Sequence, residues 1–375
     1  MIRLFKPYVG NEELENIKGA FERQWLGLGP LVKEFEDNWT KKFRTADSVG
    51  LNSCTAALHL SLNAYKFKEG SEVLVPAMTF VSSAHAILYN NLKPVFVDIN
   101  PNTLCICIND LQKKITKNSV AILPVHMGGH PCNMIEIMKI AKENNLKVIE
   151  DCAHNAGGKY NNEFIGTIGD IGCYSFEEKK NMTTGDGGMI SSHDGDLIKE
   201  IKKIRWCGID RDTWKRVKYQ DPSDHNPMHW YYEVPKLGYK YNMNDLAAAI
   251  GLAQLEKLDF MNKNRALSIQ KYIDGFNGID GLRVGIPYDL VDSSYWLFLV
   301  RVKQRDDFIN HMKAAGISTG VHFMPLPLHP LYEDFNIEIP NSMKVWEELV
   351  TLPLYVGMSD QDINKVIETA RSFFL

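Results

Sequence analysis

Four short, uninterrupted apolar runs constrain the fold of this chain more than any other feature. They are Glu72-Val73-Leu74-Val75-Pro76-Ala77, Pro94-Val95-Phe96-Val97-Asp98, Val120-Ala121-Ile122-Leu123-Pro124-Val125 and Lys147-Val148-Ile149-Glu150-Asp151. None alternates apolar with polar residues, as a strand with one wet face does. Continuous runs of this kind belong to parallel strands covered on both faces. Helical patterns lie between them, among them Ser53 to Tyr65 and Met134 to Asn144. Strand-helix alternation from about residue 47 to residue 193 predicts an α/β fold with a mainly parallel, three-layer sheet. The runs Gly172 to Phe176 and Gly188 to Ser192 read as two more strands joined by a polar loop.

Residues 205–235 break this rhythm with Trp206, Trp214, Trp230, Tyr231 and Tyr232. A connection of that length is expected to cover a site or a subunit contact. From Asn244 to Phe276 the pattern is helical and long enough to bridge two domains. An α+β unit follows, with Trp296 to Val300 as a strand and Arg305 to Ala315 and Ser359 to Phe374 as helices. At 375 residues two domains are the natural count. The expected division is a large domain over 1–250, which includes the N-terminal segment, and a smaller C-terminal α+β domain over 251–375.

A net charge of −4 gives no general attraction to nucleic acid or an anionic membrane. No apolar run approaches the ~20 residues that span a bilayer. Met1-Ile2-Arg3-Leu4-Phe5-Lys6-Pro7 lacks the apolar core of a signal peptide, so a cytoplasmic protein is expected. Seven cysteines without a Cys-x-x-Cys pair argue against a zinc site or a disulfide framework. No metal is expected.

The chemistry centres on Asp151, which ends a buried strand, and on the loop Glu177-Glu178-Lys179-Lys180-Asn181-Met182-Thr183-Thr184-Gly185-Asp186-Gly187-Gly188. A buried carboxylate is costly unless it has a partner, and α/β sheets place ligands at strand carboxyl ends. An acid there and a lysine in a glycine-bounded loop suit a pyridoxal 5'-phosphate enzyme. That cofactor needs an amine to bond to and an acid to keep its ring nitrogen protonated. Spacing does not separate Lys180 from Lys179, and Asp151 also reads as a helix N-cap. Ser53-Cys54-Thr55-Ala56-Ala57 opens a helix with free amides and hydroxyls, which suits a phosphate or an ordinary cap. Phe80 reads as a ring-stacking or a core aromatic, and His154 as a cofactor contact or a core histidine. A phosphate loop, a His-Glu-x-x-His pair, a Gly-x-Ser-x-Gly elbow and a dinucleotide fingerprint in the first strand-helix unit are all missing.

These segments together resemble the DegT family of sugar aminotransferases, enzymes of the fold type I, aspartate aminotransferase superfamily. The resemblance covers nearly the whole chain. It rests on Gly29-Pro30 with Phe35-Glu36, Asn52-Ser53-Cys54-Thr55-Ala56-Ala57-Leu58, Val75-Pro76-Ala77-Met78-Thr79-Phe80 and Pro94 to Asp98. Pro124-Val125-His126, Ile149 to His154, Ser175 to Gly188 and Gly238-Tyr239-Lys240-Tyr241-Asn242-Met243 complete it. The resemblance implies Lys180, rather than Lys179, as the Schiff-base lysine and Asp151 as the partner of the ring nitrogen. Phe80 would stack on the ring, His154 would lie near the phenolic oxygen, and Cys54, Thr55 and Ser175 would hold the phosphate. Lys240 stands where relatives carry an asparagine that reaches the partner subunit's phosphate, so a homodimer with shared sites is implied. His322 and His329 match a segment near the active site and are candidate substrate contacts.

Glu177-Glu178 replaces the common His-Pro or Gly-Asn, and Asp186 replaces a common glutamate. Relatives with histidine at the lysine position are dehydratases, so Lys180 implies transamination. The implied substrates are an amino donor, expected to be glutamate, and a nucleotide-linked keto sugar for glycan or polysaccharide synthesis. A smaller phosphorylated keto compound as acceptor, or a non-catalytic cofactor-binding regulator, are the alternatives.

Overall fold

The computed structural model describes residues 1–210, 232–290, 294–335 and 337–375. Trp214, Trp230 and Tyr231 of the expected aromatic connection lie outside the described residues. Seven strands form the main sheet: β1 (Asp47–Leu51), β2 (Glu72–Pro76), β3 (Lys93–Val97), β4 (Ser119–Ile122), β5 (Lys147–Asp151), β8 (Ile171–Ser175) and β9 (Gly188–Ser192). Between β5 and β8 lies a two-stranded hairpin, β6 (Lys159–Tyr160) and β7 (Glu163–Phe164). The main order is β1-β9-β8-β5-β4-β2-β3. The pairs from β3 to β8 are parallel, and only β9 runs against its neighbours. The sheet is therefore mainly parallel, and its central strands are buried as their unbroken apolar composition requires. β4 stops at Ile122, short of the expected Val125, because Pro124 brings no N–H to the ladder.

The helices before and between these strands are α1 (Asn11–Glu22), α2 (Pro30–Phe43), α3 (Cys54–Ala64), α4 (Val81–Leu88), α5 (Ile108–Lys114), α6 (Met134–Asn144) and α7 (Gly195–Ile204). α8 (Asp245–Phe276) follows, 32 residues capped by the Asn244 side chain, which accepts the Ala247 N–H. It runs straight through residue 250. The C-terminal part holds α9 (Arg305–Ala314), α10 (Pro340–Glu348), α11 (Asp360–Ser372) and an antiparallel sheet of β10 (Leu282–Val284), β11 (Phe298–Val302) and β12 (Leu349–Leu352). β11 begins two residues later than Trp296, its expected start. The N–H groups of Trp296 and Leu297 are directed instead to the carbonyl of Gly128, in the loop after β4. The chain start is tied to this C-terminal part: Ile2 bridges Ile317, and the Leu354 N–H donates to the Leu4 carbonyl. Among the described residues no helix is long and apolar enough to cross a membrane.

Candidate active site

A cleft of about 750 Å³ opens where the carboxyl ends of the strands meet the start of α3, the β8–β9 loop and the C-terminal part. It is large enough for a small ligand. Its walls bring together Cys54, Thr55, Phe80, Asp151, His154, Ser175, Lys180 and His322 of the residues singled out in the sequence. His329 and Lys240 are not in its lining.

Asp151 sits at the end of β5 with 4% of its surface exposed. One carboxylate oxygen accepts the Ser83 hydroxyl at 2.8 Å and the other accepts the Ala153 N–H at 3.1 Å. Ser83 is held in turn by Thr79 at 3.2 Å. The residues after Asp151 form turns and no helix, so it caps nothing. Burial pushes its acid up; Ser83, the Ala153 N–H and the charge of Lys180 oppose that. Two hydrogen bonds leave lone pairs unused on a buried carboxylate, and no cation pairs with it among the described residues.

The strand carrying Asp151 is fixed by the residue before it. Fully buried Glu150 accepts N–H groups of Gly166, Ile168 and Gly169 at 2.6–2.9 Å and the imidazole of His126 at 3.1 Å. His126 accepts the Cys132 N–H on Nδ1, so its proton is on Nε2 and points to Glu150. His126, Glu150 and Cys152 have ligand atoms within 4.8 Å of one another. With its oxygens already bonded to four N–H groups, Glu150 works here as a structural anchor.

Lys180 lies in the loop between β8 and β9. Its N–H donates to the Glu177 carbonyl, and its own carbonyl accepts Arg265 Nη2 at 3.3 Å. Buried Asn181 clamps the loop through two 3.0 Å bonds to Ser294. The Lys180 Nζ lies 3.4 Å from the centroid of the Trp296 ring. Burial draws this amine down to about 8, against the pull of Glu177 and Asp151. Lys179 is exposed and pairs with Glu177 at 3.4 Å. The fold thus separates two lysines that spacing did not.

At the far side, Ser53 caps α3 by accepting the Ala56 N–H at 3.1 Å. Cys54 and Thr55 occupy the first turn, whose amides have no carbonyl partner within the helix. Thr55 Oγ1 lies 2.7 Å from Ser82 Oγ, and Ser175 Oγ accepts the Glu177 N–H at 3.4 Å. Gly188 lets β9 approach this turn: a Cβ there would stand 2.6–2.7 Å from the backbone of Ser53 and Cys54. Phe80 caps the start of α4, 53% exposed, which places it on the cleft wall and outside the core. His154 is buried and stacks on Trp296 at 4.4 Å. Its Nδ1 accepts the Gly128 N–H at 3.3 Å, leaving its proton on Nε2. Burial, and after it the charge of Lys180, holds it well below the ordinary histidine value. His322 is bonded to Thr351 at 2.8 Å, and burial brings it down to about 4.

These residues fit pyridoxal phosphate. The first turn of α3 with its hydroxyls suits the phosphate, and a buried carboxylate with unused lone pairs suits a protonated ring nitrogen. An exposed phenylalanine between them suits the ring's face. Sequence reading missed Ser83, Phe5 and Trp296, all on the cleft wall. Ser83 carries a usable signal, a hydroxyl one turn beyond Phe80. Trp296 carries none, because it reads as one more apolar strand residue.

His329 stands on the turn after Leu326–Leu328, its N–H donating to the Leu326 carbonyl. Lys240 is exposed, its ammonium donating to Asn242 Oδ1 at 2.9 Å and lying 5.3 Å from the Trp206 ring.

Residues 7–371 match the DegT/DnrJ/EryC1/StrS aminotransferase family. The spore coat polysaccharide biosynthesis protein SpsC of Bacillus subtilis is 36% identical, over 97% of this chain and 95% of SpsC. The GDP-perosamine synthase of Escherichia coli O157:H7 is 30% identical, over 100% of this chain and 98% of that protein. Spr1654 from Streptococcus pneumoniae, solved in a PMP form and a PLP form, superposes with TM-scores of 0.92 and 0.89 at 28% identity. The PMP form covers 99% of this chain and 98% of its own, and the PLP form 98% and 97%. A mainly parallel sheet, a lysine and a buried carboxylate in one cleft, and a family match from end to end agree. The chain belongs to the DegT/DnrJ/EryC1/StrS family of sugar aminotransferases, and its cofactor is pyridoxal phosphate.

Proposed function

We propose that this enzyme moves an amino group from glutamate to a keto group of a nucleotide-linked keto sugar used in glycan or polysaccharide synthesis. The observation that carries this reading is the convergence of Lys180 and Asp151 in one cleft. The relatives named for spore coat polysaccharide and GDP-perosamine support the acceptor class. Cys54, Thr55 and Ser175 would hold the cofactor phosphate, Phe80 its ring, Asp151 its ring nitrogen and His154 its phenolic oxygen. When bound, the cofactor supplies the electron sink that lets a proton leave the donor's Cα.

Lys180 is the group that takes that proton. An amine at about 8 is part neutral near pH 7, so Nζ can accept a proton and return it, as general acid–base catalysis requires. Asp151, held between Ser83 and the Ala153 N–H, keeps its charge aimed at a single position. His154 donates from Nε2 and stays neutral beside the lysine. A neutral imidazole there adds no positive charge to repel the Lys180 ammonium. His322 would contact substrate from the opposite wall. His329 would reach substrate only from outside the cleft of its own subunit. We place Lys240 at the cofactor phosphate of a partner subunit in a homodimer, a reading supported by its position outside its own cleft.

Purified protein is expected to be yellow, and borohydride should bleach it and fix the cofactor onto a peptide containing Lys180. Glutamate should bleach it with release of 2-oxoglutarate. Nucleotide-linked keto sugars, tested beside simple keto phosphates, should be the substrates that restore it. Cofactor that borohydride fixes elsewhere, or turnover confined to the keto phosphates, would overturn the assignment.

A further inference from the structure

Among the described residues, the Lys180 ammonium has no hydrogen bond and no ion pair. What it touches is an aromatic face: Nζ lies 3.4 Å from the Trp296 ring centroid. That ring is 4% exposed and is fixed on several sides. Its Nε1–H donates to the carbonyl of Lys179 at 2.6 Å, the residue next to the lysine it faces. His154 stacks on it at 4.4 Å and Phe5 at 5.2 Å, while His322 meets it edge-on at 5.5 Å. Such packing leaves the indole one orientation.

A half-buried ammonium, partly stripped of water, gains from an attractive partner. A carboxylate in contact would supply one, but it would also hold the proton and keep the amine charged. An aromatic face attracts the cation through its quadrupole and has no site to take the proton. The charged groups facing Lys180 are Glu177 and Lys179 of its own loop and Asp151 from β5. The titratable groups are Cys54 from α3, His154 after β5 and His322 from the opposite wall. None of the carboxylates is in ion-pair contact with it. What the amine rests against among the described residues is the indole face.

We propose that Trp296 is the positioning residue of the reacting lysine: its face seats the Lys180 ammonium in the cleft whenever that amine carries a proton. This rests on Lys180 being the reacting lysine. The seat keeps the amine within the cleft between proton transfers without locking it in the charged form.

Fluorination tests this, because it drains the ring's negative face while nearly preserving its shape. Full-length protein with tryptophan or mono-, di- or tetrafluorotryptophan at position 296 is reconstituted with pyridoxamine phosphate, whose own amine cannot bond to Lys180. Each form is pulsed with trace acetic anhydride across pH, and acetylation of Lys180 is read by peptide mass spectrometry. The midpoint for Lys180 should fall stepwise with fluorination, by about one pH unit over the series. Midpoints for surface lysines should not move. Coinciding Lys180 midpoints across the series, in proteins with the same melting curve, would overturn the proposal. Labelling needs no turnover and no donor or acceptor, so a failed functional assignment appears separately, as the wrong borohydride-labelled peptide.

Discussion

Lys180 is an amine that the fold makes harder to charge. Burial brings it to about 8 from the 10.5 of an ordinary lysine. In the unfolded chain it is protonated up to about 10.5, so folding carries a cost that is complete below about 8. That cost shrinks between the two values and vanishes above them. The full gap corresponds to a few kcal/mol, but the side chain borders an open cleft, and solvent there reduces it to about 1–2 kcal/mol. Lys180→Met should therefore stabilise the cofactor-free protein by roughly that amount at pH 7 and by almost nothing near pH 10.5. Thermal melts at the two values check this, and an equal gain at both would refute it. The residue scale was the hardest to read in sequence. Asp151 and Lys180 stood out because a strand end and a glycine-bounded loop are local patterns. Ser83 and Trp296 did not, because each matters only through a neighbour brought in by folding.

Elements place these residues through close backbone contacts, and one of them lies between β9 and the first turn of α3. A methyl group at Gly188 would stand 2.6 Å from the Ser53 carbonyl and 2.7 Å from the Cys54 nitrogen, and neither is a side chain that can swing away. Gly188→Ala should push the strand from the helix start, with a stability loss of about 1–3 kcal/mol. It should also cost about tenfold or more in cofactor affinity, because helix-start amides hold an anion only at hydrogen-bond distance. Cofactor titration followed by absorbance checks the second effect, and wild-type affinity in a folded variant would refute it. Most elements were legible because two-sided burial forces an unbroken apolar run, as at β2 and β5. The start of β11 was not: Trp296 and Leu297 bond to Gly128, a partner that no local pattern reveals.

At the scale of the whole molecule, the cleft draws on both ends of the chain. Leu4 and Phe5 form part of its wall, together with Trp296 and His322. The proposed dimer would add Lys240 from the neighbouring subunit, and this can be tested by complementation. Lys180→Met and Lys240→Glu homodimers should each be poorly active. Mixed dimers should regain activity, since one of their two sites would combine an intact Lys180 with an intact Lys240 of the partner. No gain on mixing would place Lys240 in its own subunit's site, or in none. What the sequence determined by itself is the mainly parallel sheet and the strand end and loop that carry the acid and the lysine. Those follow from periodicity and from residues adjacent in the chain. The tertiary structure decided how far the half-buried Lys180 is drawn from solvent while Lys179 stays exposed, which hydroxyl steadies Asp151 and which ring the amine rests against. Each of those depends on distances between segments far apart in sequence, and only packing sets them.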